Sequence, residues 1–246
     1  MKIRWSSKPA LALAILAAVA GSLSTPASGI AQDDLSPLDV VMLRSVGGVY
    51  PSPDGGTIAF TRSIPRGPED GPGRGFTQLM LMDATPSGSE RTLIGGNRSI
   101  GGVAWEPGGA ALTFLERREG DRGRQLYALP LNGGEPMRVF EAPVGISQYQ
   151  WRPDGGAVAF TATLPAPDGR AEARAAGVGQ RVYDEDWNPI GLFLWDRDSN
   201  QVRALDVPGS VFGLDWSPDG TRLALAVAPR NLTDDFYMFK RIHVLD

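Results

Sequence analysis

The residues with the clearest capacity for chemistry form one short acidic segment, Tyr183-Asp184-Glu185-Asp186-Trp187. Three adjacent carboxylates beside two aromatic rings can bind a cationic group, such as the free amino terminus of a peptide, through charge-assisted hydrogen bonds. A solvated acidic turn ahead of a strand would have the same sequence. Asp184, Glu185 and Asp186 are therefore candidate substrate-binding residues, and the second interpretation stays open.

The rest of the sequence offers little for catalysis. His243 is the single histidine, and it stands at an alternating position of a strand-like run. The chain has no cysteine and no Gly-x-Ser-x-Gly nucleophile elbow, so neither a Ser-His-Asp triad nor a His/Cys metal site can be assembled. A Walker phosphate loop and a dinucleotide-binding motif are missing as well. We expect no catalytic residue, no metal ligand and no cofactor in this segment.

A phrase that recurs four times indicates the elements that position these residues. Its copies are Tyr50-Pro-Ser-Pro-Asp-Gly, Trp105-Glu-Pro-Gly-Gly, Trp151-Arg-Pro-Asp-Gly and Trp216-Ser-Pro-Asp-Gly, each followed by an apolar run. Self-similarity at a spacing of tens of residues marks a repeat architecture, and Pro-Asp-Gly favours a tight turn between strands. The pattern predicts an all-β fold, a β-propeller of four-stranded blades, in which the repeated tryptophans pack between neighbouring blades.

Four strands per repeat define the predicted blades. They span about residues 48–97, 98–142, 143–209 and 210–246, and the last is incomplete because it lacks a fourth strand. The long insertion in each repeat lies between the second and third strands, so the elaborated loops share one face. We expect the N-terminal part of a longer protein, poorly soluble or partly unfolded in isolation. A self-contained four-bladed propeller is the alternative.

The first 31 residues have the pattern of a secretory signal peptide. A positive start with Lys2, Arg4 and Lys8 precedes an apolar run, Ala10 to Ala20, that is too short to span a bilayer. Cleavage is predicted after Ala31, with Gly29 as the alternative. A segment with a short helix, residues 32–47, then leads into the partial propeller, residues 48–246.

The predicted cleavage sets the expected location and charge of the mature chain. It removes three of the 24 basic residues and none of the 28 acidic ones, so the remaining chain is more acidic than the formal charge of −4. An acidic surface argues against nucleic acid as a partner. We expect a periplasmic or secreted protein with no membrane anchor after cleavage.

The repeats resemble the propeller of prolyl oligopeptidase-type serine peptidases. The opening Leu35-Ser-Pro-Leu-Asp-Val-Val-Met-Leu and the segment Val182-Tyr-Asp-Glu-Asp-Trp are similar to exported bacterial acylaminoacyl- and dipeptidyl-peptidase-like members. The resemblance covers residues 33–246. It implies a seven- or eight-bladed propeller that admits short peptides to a downstream α/β-hydrolase domain. In some aminopeptidase members paired glutamates of a propeller insertion hold the substrate's amino terminus, and Glu185 resembles one of them.

Two other functions stay open beside this resemblance. Non-enzymatic TolB-like periplasmic propellers, which bind proteins, share the repeat but carry an α/β domain before it, and only residues 32–47 precede the first blade here. A propeller lyase that acts through its central channel would need clustered histidines or metal ligands. The sequence favours the substrate-gating propeller part of an exported serine peptidase that hydrolyses short peptides.

Overall fold

The computed structural model describes residues 35–85, 88–165, 170–180 and 183–246, so the predicted signal peptide lies outside the described residues. The chain divides into two units, residues 1–41 and 42–246. In the first, helix α1 (Pro37–Val41) begins at a reciprocal cap. The Asp39 N–H donates to Ser36 Oγ at 3.2 Å, and the Ser36 N–H donates to Asp39 Oδ2 at 2.9 Å. The short helix expected in this segment is present.

The described part of the second unit folds into four antiparallel sheets, each built from consecutive strands. The first sheet contains β1 (Ser45–Pro51), β2 (Thr57–Ile64), β3 (Phe76–Asp83) and β4 (Glu90–Ile94). The second contains β5 (Gly101–Trp105), β6 (Ala111–Glu116), β7 (Gln125–Pro130) and β8 (Met137–Arg138). The third contains β9 (Ile146–Trp151), β10 (Ala157–Thr163), β11 (Ile190–Asp196) and β12 (Gln201–Leu205). The fourth contains β13 (Ser210–Trp216), β14 (Leu223–Ala228) and β15 (Arg241–Leu245).

This arrangement confirms the predicted all-β propeller, with a last blade of three strands among the described residues. Two short helices also lie in the described connections, α2 (Arg170–Ala175) before β11 and α3 (Thr233–Met238) before β15. Neither helix was predicted. No described helix has the length and apolar character needed to cross a membrane.

The apolar cores of the described residues lie between neighbouring sheets. Strand β6 is buried at every position and β10 at every position except Thr163. Burial on both faces is expected of a strand that has another sheet on each side. Fully burying one large apolar side chain is worth about 1.5–3 kcal/mol, so these inter-sheet cores hold the blades together.

One predicted strand is shorter than its sequence pattern suggests. The run Met137-Arg-Val-Phe was expected to form the fourth strand of the second blade, but β8 ends at Arg138. The chain leaves the sheet edge because Phe140 turns into the core between the second and third sheets. Its ring lies 4.9 Å from Trp195 and 5.3 Å from Phe160, measured between centroids. The Val139 N–H still donates to Leu126 O at 2.9 Å, so the pairing with β7 ends at Phe140, whose side chain is buried.

The repeated tryptophans join each sheet to the one before it, and they are Trp105, Trp151 and Trp216. Trp105 Nε1 donates to Tyr50 O at 2.9 Å. Trp216 Nε1 donates to Gln150 O at 3.3 Å. Trp151 Nε1 donates instead to Thr113 Oγ1 at 3.1 Å, and this hydroxyl donates onward to Ala104 O at 3.1 Å. The prediction that these rings pack between blades is confirmed.

Candidate functional site

The described insertions lie together at one end of the sheets, which we call the loop face. Because the strands are antiparallel, every connection from a second to a third strand reaches this end. These connections span residues 65–75, 117–124, 164–189 and 229–240. The first-to-second strand turns carry Pro-Asp-Gly in three sheets and Pro-Gly-Gly in the second, and they lie at the opposite end, which we call the turn end.

A cleft of about 580 Å³ lies between the third and fourth of these connections, and we call it the insertion cleft. Residues that line it include Tyr183, Asp186, Trp187, Asn188, Asn231 and Thr233. Asn231 Nδ2 donates to Asn188 O at 3.0 Å, and the Thr233 N–H donates to Tyr183 Oη at 3.1 Å. The two insertions are therefore joined by hydrogen bonds across the cleft, and residues on both contribute to one surface.

The predicted site residue Asp186 lies in this cleft and forms an ion pair with helix α2. Its Oδ1 is 2.5 Å from Arg170 Nη2, and both side chains are largely buried. Arg170 Nη2 also donates to Glu185 O at 2.8 Å. One guanidinium thus orients the acidic turn and neutralises the Asp186 carboxylate.

The other two predicted site residues are more accessible. Asp184 is exposed, and its Oδ1 lies 3.9 Å from Arg230 Nη1. Arg230 makes its close contacts elsewhere, because its Nε and Nη2 donate to the buried Asp235 carboxylate at 3.0 and 2.9 Å. These hydrogen bonds from Arg230 lower the pKa of Asp235. The Glu185 side chain is exposed.

The acidic turn therefore presents two accessible carboxylates next in sequence to Tyr183, whose half-exposed ring lines the insertion cleft. This arrangement can attract a cationic group. It contains no nucleophile with an adjacent base among the described residues. The described residues also hold no group of three or more His, Asp or Glu that could bind a metal ion. The binding role of Asp184, Glu185 and Asp186 stays a prediction.

A second cleft on the loop face was not found from the sequence. It has a volume of about 710 Å³ and lies beside Glu116, the last residue of β6. A signal was present, because the connection 117–124 reads Arg-Arg-Glu-Gly-Asp-Arg-Gly-Arg and Glu116 interrupts an apolar strand pattern. The sequence alone does not show that Arg98, from a different connection, joins this group.

Comparison with known proteins places these features in context. No protein-family model matches the chain. By sequence, the chain is similar to the uncharacterized peptidase YuxL of Bacillus subtilis, with 29% identity over 126 residues, which cover 51% of this chain and 18% of the relative. It is also similar to dipeptidyl-peptidase 5 of Porphyromonas endodontalis, with 27% identity over 166 residues, which cover 63% of this chain and 23% of the relative.

Both relatives are peptidases. The resemblance to peptidases that the repeats suggested is confirmed by these two sequence matches. The chain spans about a fifth of the length of these curated relatives, with 18% of one and 23% of the other covered.

Solved structures give the same fold. The acylaminoacyl peptidase of Pyrococcus horikoshii matches with a TM-score of 0.61 and 11% identity, over 84% of this chain and 32% of that one. The β-propeller domain of the trilobed protease of Pyrococcus furiosus matches with a TM-score of 0.54 and 12% identity, over 82% of this chain and 55% of that one. A putative TolB of Agrobacterium tumefaciens matches with a TM-score of 0.54 and 17% identity, over 82% of this chain and 58% of that one. Identities this low concern the fold alone, which peptidase and TolB propellers share.

Proposed function

We propose that this chain is the substrate-gating propeller portion of an exported serine peptidase that hydrolyses short peptides. The sequence match to two peptidases carries the proposal, because it covers 51% of this chain in one case and 63% in the other. The propeller likeness to the acylaminoacyl peptidase supports it. In this proposal, catalysis belongs to an α/β-hydrolase domain downstream of Asp246, and this chain contributes no catalytic residue.

Gating would follow from the contrast between rigid blades and a structured loop face. The blades are held together by buried inter-sheet cores, so a folded protein cannot pass between them without breaking that packing. The insertion cleft, at about 580 Å³, falls within the range of roughly 300–1,000 Å³ typical of small-ligand pockets. A short peptide with a free amino terminus suits the accessible carboxylates of Asp184 and Glu185.

Activity of the protein encoded by the complete reading frame tests this proposal. We expect hydrolysis of short peptides, slower hydrolysis of the same peptides with an acetylated amino terminus, and no cleavage of folded proteins. A phosphonate that reacts with serine hydrolases should abolish the activity. Absence of any peptide hydrolysis by the folded protein would contradict the proposal.

Export is a separate part of the proposal. Residues 1–31 would direct the chain out of the cytoplasm and be removed, so the mature protein would begin at Gln32. Amino-terminal sequencing of the protein recovered from its native cell tests this directly. A protein that keeps Met1 and stays in the cytoplasm would contradict the export step without affecting the peptidase assignment.

A non-enzymatic TolB-like propeller that binds a protein partner is the second candidate. The fold likeness to the Agrobacterium protein favours it. The two candidates differ in the domain required after the propeller, because only the peptidase needs a nucleophile elbow. Reaction of the complete protein with a fluorescent serine-hydrolase phosphonate distinguishes them, since a binding propeller has no activated serine to label.

A further inference from the structure

The second cleft on the loop face is built around a buried carboxylate, and we call it the arginine cleft. Four arginines line it, Arg98, Arg117, Arg118 and Arg124, together with Glu116, Glu119 and Glu135. Glu116 is 5% exposed and ends β6. At the equivalent position, the third and fourth sheets carry Ala162 and Val227, both buried and apolar. The fold therefore does not require a charge at this position.

Glu116 is held between two guanidinium groups. Arg98 Nε donates to Glu116 Oε1 at 2.6 Å, and Arg98 Nη2 donates to Oε2. Arg118 Nε also donates to Oε2, at 2.9 Å. Burial raises the pKa of Glu116, but the hydrogen bonds from Arg98 and Arg118 outweigh burial and lower that pKa below its ordinary value. The carboxylate is ionised, and both of its oxygens are occupied.

The same contacts fix the orientation of the arginines. The Arg118 guanidinium lies 3.7 Å from the centroid of the Tyr127 ring, and its Nη1 donates to Pro136 O at 3.1 Å. Tyr127 Oη in turn donates to Asp121 Oδ2 at 2.9 Å. A guanidinium held in this way loses little rotational freedom when it binds a ligand, because its planar fork is already oriented.

Donors remain in the cleft after Glu116 is satisfied. Among the described residues, neither Arg98 Nη1 nor Arg118 Nη2 has a hydrogen-bond acceptor, and Arg117 forms no ion pair. Glu119 and Glu135 line the same cleft, yet neither forms an ion pair with a described arginine. The cleft therefore presents oriented cationic donors that no described protein group uses.

We propose that the arginine cleft binds a carboxylate group of a peptide. Arginine forms two parallel hydrogen bonds with a carboxylate, and such charge-assisted pairs are stronger than neutral ones. The carboxylate can be the carboxyl terminus of the peptide or an Asp or Glu side chain, and the geometry accepts both. That the ligand is a peptide rests on the proposed function, whereas the anion site itself rests on the contacts described above.

The position of the cleft gives the site a role. It lies on the loop face, as the insertion cleft does, and the two clefts differ in charge. The acidic turn, which contributes Tyr183 and Asp186 to the insertion cleft, exposes carboxylates at Asp184 and Glu185, and the arginine cleft exposes guanidinium groups. Peptides with an accessible carboxylate are thereby retained at the face on which the gating insertions lie, and neutral peptides are retained less.

Calorimetric titration of the complete protein tests the proposal, after a serine-hydrolase phosphonate has blocked turnover. The probes are acetyl-Ala-Ala-Ala with a free carboxylate, the same peptide as its amide, and acetyl-Ala-Glu-Ala amide. Low ionic strength is used because salt screens exposed charges. We expect at least one acidic probe to bind about tenfold more tightly than the neutral amide, a difference of about 1.4 kcal/mol. Which acidic probe binds identifies the source of the carboxylate.

Two variants test whether the acidic probe binds in the arginine cleft. Arg118→Gln removes one of the two free donors and leaves the Arg98–Glu116 pair in place, so it should weaken binding of the acidic probe about tenfold. Arg91→Gln should not, because Arg91 lies exposed on β4 outside both clefts. Unchanged thermal unfolding of each variant shows that the fold is kept. Equal binding of acidic and neutral probes, or equal binding by both variants, overturns the proposal. A protein that binds acidic probes but hydrolyses no peptide contradicts the proposed function instead.

Discussion

The turn end and the loop face of the sheets differ in how they are built. At the turn end, the first and fourth turns make the same contacts in the same order. Ser217 Oγ donates to Asp219 Oδ1 at 2.5 Å and accepts the Arg222 N–H at 2.9 Å. Ser52 repeats both contacts, at 2.5 Å with Asp54 and 3.0 Å with the Thr57 N–H. At the loop face each described connection has its own length and its own polar contacts.

This difference separates the part of the sequence that specifies the fold from the part that can vary. A repeated turn fixes the strand register in each blade, so a change there affects stability first. A connection that closes its own network can change without disturbing the blades. We therefore expect large stability effects in the cores and turns, and effects on binding at the loop face.

The largest effect is expected in the core between the second and third sheets. Phe160 is fully buried, and its ring lies 5.2 Å from that of Phe193. Phe160→Ala should lower the free energy of unfolding by about 3–5 kcal/mol, because a buried aromatic ring is lost and a cavity remains. Urea denaturation measures this. Tyr237→Ala, at a loop-face residue that is 77% exposed, is the control and should change the value by no more than about 0.5 kcal/mol.

Two buried threonines on adjacent blades sharpen the comparison. Thr113 Oγ1 accepts from Trp151 Nε1 and lies 2.8 Å from Tyr149 Oη. Thr161 is also buried, but its Oγ1 has no partner among the described residues. Thr113→Val should lower the free energy of unfolding by about 1–3 kcal/mol, because it leaves the buried donors Trp151 Nε1 and Tyr149 Oη without their acceptor. Thr161→Val should be neutral or stabilising, and urea denaturation of both variants measures the difference. Equal losses at the two sites would be inconsistent with the inter-sheet hydrogen-bond network.

A pair of glycines compares the turn end with the loop face directly. Gly220 has a φ of 71°, and an added Cβ would lie 3.0 Å from the Arg152 side chain. Gly220→Ala should destabilise by about 1–2 kcal/mol, because an L side chain is strained in the left-handed region. Gly179→Ala is the matched change in the third connection, where a Cβ meets no atom within 4 Å. It should leave the urea midpoint unchanged, and an equal loss there would show that the loop face is as constrained as the turns.

The smallest expected effect is on how stability falls at low pH. Hydrogen bonds from Ser217 and then from Thr221 lower the pKa of Asp219 to about 2. A lowered folded-state pKa stabilises the fold above the unfolded-state value of about 3.9, and this contribution is lost as the pH falls toward 2. Asp219→Asn should therefore lose less stability than the wild type between pH 5 and pH 2, as measured by urea midpoints. A wild-type midpoint that falls no faster than that of the variant would contradict the role given to this carboxylate.

The fold could be predicted from the sequence because its determinants are local and repeated. The Pro-Asp-Gly turns, the apolar runs after them and the repeated tryptophans each occur within a few residues, and a single repeat unit explains all of them. The shortened β8 was missed because Phe140 is drawn into the next core, and no local pattern records that contact.

The candidate site was less predictable than the fold because the residues that contact one another there lie far apart in sequence. The acidic turn was found, but its neutralisation by Arg170 depends on helix α2, which carries no repeat signal. Glu116 meets Arg98 only because β6 ends beside the connection between the first two sheets. Side-chain pairing of this kind depends on tertiary packing, which the sequence pattern does not specify.

Reading the coding sequence in frame beyond Asp246 tests the central claim most directly. We predict further blades, followed by a strand, a Gly-x-Ser-x-Gly turn and a helix, with the triad Asp and His after the serine in that order. That result would establish a propeller portion of a serine peptidase. Further blades followed by a stop codon, with no nucleophile elbow, would contradict the peptidase assignment and leave a TolB-like binding propeller.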